Sequence, residues 1–112
     1  MLSLPRIKTD YAKFTCPVKN TIDIIGDKWT LFILRELYYG KEKQGFNELL
    51  GYLKPISSRT LAKKLHHLQK YNIISRKIVR EKPLKVEYRL TKKGLKLKNV
   101  LQEFAKWYKS IE

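Results

Sequence analysis

The chain has 112 residues, 43% of them hydrophobic, with 25 Lys plus Arg against 10 Asp plus Glu and a single cysteine. That length suits one compact domain with a modest core, and the hydrophobic content excludes a disordered chain. No apolar run is long enough to span a bilayer, the first residues lack a signal-peptide pattern, and a lone cysteine excludes an internal disulfide or a multi-cysteine zinc site. A cytoplasmic protein is therefore expected. The net charge of +15 calls for a polyanionic partner, nucleic acid before an anionic membrane.

Residues 1–15 read as an irregular basic arm, with Tyr11 and Phe14 able to pack on a neighbour. Residues 16–112 form the domain proper. Cys16-Pro17 opens a first helix, since proline suits the first helical position. Val18, Ile22 and Ile25 fall on one face, and Gly26 ends it. Asp27 is a good N-cap for a second helix from Lys28 to about Tyr39. Its apolar residues, Trp29 to Tyr39, point nearly all round the axis, which marks a central core helix. Lys41 to Gly45 is a polar connector with room for a very short strand. Phe46 to about Leu53 is a short helix stopped by Pro55.

Ser57 caps the next helix, with Ile56 in the staple position before it. Leu61, Leu65 and Leu68 make one narrow apolar stripe. Arg59, Lys63, His66 and Lys70 lie opposite, flanked by Thr60 and His67. The helix ends near Tyr71-Asn72, where asparagine tolerates a left-handed turn. Ile73 to Arg80 reads as a strand, Glu81 to Leu84 as a turn and Val86 to Leu90 as an alternating strand, together a hairpin. Thr91 caps a long last helix, apolar at Leu97, Val100, Leu101, Phe104, Trp107, Tyr108 and Ile111. That stripe can pack on the rest of the chain or on a second copy.

The fold class is mainly α with a small β-hairpin, and the order of elements is that of a winged helix-turn-helix. A major groove admits one helix, read from its N-terminal turn. Ser57, Ser58, Arg59, Thr60 and Lys63 then lie nearest the bases, with Arg59 suited to a guanine. Lys64, His67 and Lys70 suit phosphates. Arg80, Lys82 and Lys85 at the hairpin tip suit the backbone or the adjacent minor groove. A charged face is often merely solvated. Here, however, no acid offsets the bases between Leu49 and Arg80, whereas ordinary surface helices mix signs.

Cys16 has two readings. A helix N-terminus and neighbouring Lys13 and Lys19 favour thiolate and hence a reactive sensor. The plainer reading is a small buried hydrophobe. His66 and His67 are adjacent and cannot share a metal as an i, i+4 pair would. No metal or cofactor is expected. With no Gly-rich phosphate loop and no Gly-x-Ser-x-Gly elbow, neither is an enzyme.

Several stretches together resemble the HxlR family of winged-helix transcription regulators, relatives of the MarR type. They are Cys16-Pro17-Val18, Ile25-Gly26-Asp27-Lys28-Trp29-Thr30-Leu31, Ile33-Leu34-Arg35-Glu36-Leu37 and Phe46-Asn47-Glu48-Leu49. Ile56-Ser57-Ser58-Arg59-Thr60-Leu61 and Val86-Glu87-Tyr88-Arg89-Leu90-Thr91 continue the likeness. It departs at Gly45, where a basic residue often precedes the phenylalanine, and at Asn72, often glycine. The resemblance implies a homodimeric regulator of double-stranded DNA, dimerised through N- and C-terminal helices. Tyr11, Phe14, Leu97, Leu101, Phe104, Trp107, Tyr108 and Ile111 would form that interface. It also strengthens the sensor reading of Cys16, by adduct formation or by a disulfide across the dimer. An effector, a small molecule or an oxidant, is the further expected partner. The alternative is a non-specific basic nucleic-acid-binding protein, chromatin-like or ribosomal.

Overall fold

The computed structural model describes residues 16–112. The expected arm, with Tyr11 and Phe14, lies outside them. Helices α1 (Pro17–Ile25), α2 (Lys28–Tyr39), α3 (Phe46–Tyr52) and α4 (Ser58–Lys70) precede an antiparallel hairpin of β1 (Ile74–Glu81) and β2 (Leu84–Leu90). Helices α5 (Lys92–Leu95) and α6 (Lys98–Ser110) follow.

Local signals set most boundaries. Asp27 caps α2, one carboxylate oxygen accepting from the Thr30 amide at 3.0 Å and the other from its hydroxyl at 2.6 Å. Ile33, Leu34 and Leu37 of α2 are buried, as is Thr30. The apolar surround expected of this helix is incomplete, because Tyr39 at its end is exposed. The connector bears the expected strand fragment, an isolated bridge from Gln44 to Tyr88 that ties β2 to the core. Helix α4 closes as a Schellman motif. Asn72 is left-handed at φ 60°, its N–H reaches the Gln69 carbonyl, and the Ile73 N–H reaches that of Leu68.

Leu49, Leu61, Leu65 and Leu68 meet Ile33 and Leu34 in the centre of the domain. The hairpin is anchored by Ile74, Val86 and Tyr88, and the rest of β1 is exposed. Its turn is tighter than expected, since β2 already begins at Leu84.

The last helix corrects the single long helix expected after Thr91. Thr91 does cap, accepting from the Gly94 amide at 3.0 Å, but α5 spans only four residues. Its short length follows from a packed junction. A Cβ on Gly94 would sit 2.1 Å from the Ile73 carbonyl, so only glycine lets α5 approach the chain just before β1 this closely. Thr91 donates its hydroxyl to the Asn72 carbonyl at 2.6 Å, and the Tyr38 hydroxyl donates to the Gly94 carbonyl. Burial raises the Tyr38 phenol above its ordinary pKa, with Tyr39 adding to it. Beyond this knot the Leu97 N–H bonds back three residues to Gly94, a tightened turn, and α6 starts anew.

Candidate nucleic-acid interface

Helix α4 is fixed by its apolar stripe. Leu61, Leu65 and Leu68 are at most 1% exposed, and burying each is worth about 1.5–3 kcal/mol. Ile56 is buried just before it, in the staple position. At the N-terminus the Ser57 hydroxyl accepts from the Thr60 amide at 3.0 Å and lies equally close to the Thr60 hydroxyl. These two predicted contact residues are thus bonded to each other, and Ser57 remains exposed beside Ser58.

The structure sorts the remaining candidates into two groups. Ser58, Arg59 and Lys63 are exposed together, and His66 and Lys70 continue their row along the helix. Among the described residues, neither Arg59, Lys63 nor Lys70 has a carboxylate partner within 4.0 Å. Lys64 and His67 are turned inward. The Lys64 ammonium lies 3.3 Å from the Asp27 carboxylate, and His67 Nε2 is 2.9 Å from the Ile24 carbonyl. His67 also meets the Tyr71 ring edge-on, with centroids 5.1 Å apart. Both side chains fasten α4 to the corner between α1 and α2.

Asp27 is the residue that sequence reasoning missed as part of this site. It appeared only as a cap, yet it also holds α4 through Lys64. Burial raises its pKa, but the Thr30 hydrogen bonds and the Lys64 charge outweigh that and hold it below the ordinary carboxylate value. No periodic signal links it to Lys64, because the contact joins two helices.

The hairpin brings Arg80 and Lys85 directly opposite one another, just past a bulge between Ile78 and Arg80. The Arg80 Nε–H donates to the Pro83 carbonyl at 3.3 Å, bracing the tip, and Lys82 is exposed there.

Three antiparallel segments beside a helix pair, with a basic exposed helix and a basic tip, make a winged helix-turn-helix. The HxlR-like helix-turn-helix family matches residues 24–112. The chain belongs to the HxlR family. An HTH-type transcriptional regulator of Synechocystis, sll1512, is 37% identical over 86 residues, 77% of this chain and 62% of its own length. The redox regulator HypR in its oxidized form superimposes with a TM-score of 0.75 at 34% identity, covering 85% of this chain and 96% of that one. The reduced form of the Bacillus subtilis regulator YodB gives 0.72 at 33% identity, over 84% and 91%. This HxlR-family protein is accordingly a transcription regulator with a helix-turn-helix DNA-binding fold, in a family of regulators rather than enzymes.

Elsewhere in this HxlR domain, Leu97, Val100 and Leu101 pack partly on the core. Phe104, Trp107, Tyr108 and Ile111 are more than half exposed, and α6 has no fully buried residue. Val18 and Ile22 of α1 are exposed as well. Between α1 and α6 lies an apolar cleft of about 370 Å³ that includes Val18, Ile22, Val100 and Phe104. Cys16 is buried at the start of α1 with 7% exposure. No helix among the described residues is long and apolar enough to cross a membrane.

Proposed function

We propose that this HxlR protein is a sequence-specific regulator of double-stranded DNA that acts as a homodimer. Residues 57–71 enter the major groove, and the wing at 80–86 lies on the backbone or in the minor groove. One observation carries the reading: α4 is locked by three buried leucines while Arg59 and Lys63 stand exposed on its free side, with no carboxylate partner among the described residues. Arg59 reads a guanine, Ser58 and Lys63 contact bases or phosphates beside it, and Lys82 and Lys85 hold phosphates. Lys64 and His67 serve the interface as positioning residues, since their polar ends are engaged with α1 and α2.

Dimerisation joins the exposed faces of α6, with α1 alongside. So much contiguous aromatic surface on a small domain marks an interaction site. Two recognition helices related by a two-fold axis read half-sites about 10 base pairs apart or a multiple of that. Regulation enters at Cys16, by addition of an electrophile or by a disulfide with the Cys16 of a second copy. The likeness to HypR, a redox regulator known in oxidized and reduced forms, supports this.

Selection of bound duplexes from a random library tests the core of the proposal. A palindromic consensus is expected. The opposite result, equal binding of all duplexes at fixed salt, fits the non-specific alternative suggested by the net charge of +15. Cys16→Ser should abolish any response of DNA affinity to an oxidant such as diamide, and an unchanged response removes Cys16 from the mechanism.

A further inference from the structure

The hairpin has two differently furnished sides. On one, a cleft of about 720 Å³ runs between the hairpin and the start of α3, with Arg76, Arg80 and Lys85 among its lining residues. Its apolar wall includes Phe46 and Val86, and Leu84 at the rim is 62% exposed. Among the described residues Glu48 is the one carboxylate lining it, and that charge is already engaged. Lys41 forms an ion pair with it, and the Gly45 amide donates to it at 2.9 Å. Those contacts hold the Glu48 carboxyl below its usual pKa, Lys41 contributing most. Lys85 lies near enough to add to that lowering, yet among the described residues none of the three hairpin cations has a carboxylate within 4.0 Å. The other side has a hollow of about 300 Å³ with Lys43, Lys77 and Arg89, but there Glu87 stands directly across from Lys77.

Arg76 and Arg80 are four residues apart on β1, with Lys85 across from Arg80. At about 3.3 Å per residue the row extends over up to ~13 Å. A single carboxylate or phosphate group would leave part of such a row unneutralised. A nucleic-acid strand offers repeated phosphates with apolar sugar surface between them, which matches cations set along an apolar wall.

We propose that this cleft seats the sugar-phosphate backbone of the duplex flanking the recognition helix, and that Arg76 is a phosphate contact lying well outside the wing tip. The inference rests on the reading of α4 as the groove-binding helix. It extends the footprint along the hairpin to a residue in the middle of β1.

The test uses the full chain and a long duplex recovered from a random library, with affinity measured across a salt series. Arg76→Ala should weaken binding and lower the salt slope by about one. Arg76→Lys should restore the slope, because charge and not fork geometry sets it. Lys77→Ala removes the same charge from the adjacent residue, on the other side, and should leave the slope unchanged. Trimming the flanks of the duplex should erase the difference between wild type and Arg76→Ala. Equal slopes for wild type and Arg76→Ala on the long duplex, with specific binding intact, overturn the cleft and leave the recognition helix standing. Absence of duplex binding by the wild type overturns both. A shift of Arg76 resonances with inorganic phosphate alone, without any slope change, reassigns the cleft to a free anion.

Discussion

Helices α4 and α6 have the same length, thirteen residues, and both are amphipathic, yet they stand in opposite relation to the core. In α4 the apolar face is used up: three leucines are sealed in the core, where α4 packs on α2 and β1, and the polar face is free. In α6 the apolar face is left open at Phe104, Trp107, Tyr108 and Ile111. Amphipathicity therefore says that a helix has two faces but not which one works. What remains unsatisfied after folding decides it, cations in α4 and aromatic surface in α6.

Substitutions can break this contrast. Leu65→Ala empties a fully enclosed position and should cost about 2–5 kcal/mol of folding stability in urea titrations. Trp107→Ala should change the stability of the isolated fold by only about 0.5 kcal/mol. The same change should weaken self-association by about 2 kcal/mol or more, read by sedimentation equilibrium, as for a central aromatic anchor. If the two leave the same signature, a folding loss with no change in association, α6 is merely a poorly packed core helix. Arg59→Ala should leave folding intact and remove about 1–3 kcal/mol of discrimination at one base position, seen by competition among single-base variants of the selected duplex.

The smallest effect sharpens how α4 is held. The Asp27 pKa is depressed on folding. Its contribution is therefore present above the unfolded pKa and is lost as pH falls through the lower folded one. Asp27→Asn keeps a capping acceptor but removes the charge facing Lys64. It should cost about 1 kcal/mol or less at neutral pH and flatten the acid limb of the stability curve. A variant whose acid limb matches wild type removes Asp27 from that dependence.

Much of the fold was legible because its punctuation is local. Asp27, Ser57 and Thr91 each cap the helix they precede, and Asn72 takes the left-handed turn that its position suggested. The stripe Leu61, Leu65, Leu68 also needed only helical spacing. What stayed hidden was set by contacts between distant elements. The break between α5 and α6 follows from Gly94 meeting the Ile73 carbonyl, and glycine in a helix pattern does not announce what will lie against it. Lys64 and His67 sit at the edge of the basic face, where spacing alone leaves their direction open. Only the positions of Asp27 and Ile24 turn them inward. Arg76 was one more base in a strand until the hairpin and α3 enclosed a cleft.

On the proposed reading, the turn at Lys96 and Leu97 separates the part that would read DNA from the part that would pair copies. Both residues keep right-handed helical backbone, Lys96 at φ −66°, ψ −22° and Leu97 at φ −74°, ψ −11°. The joint is thus an ordinary piece of chain, free of any special residue. In a dimer built on α6, a few degrees there swing one reading head relative to the other. Half-site spacing can then drift through substitutions around this joint while every base contact stays the same, so related regulators can share a recognition alphabet and still refuse each other's operators.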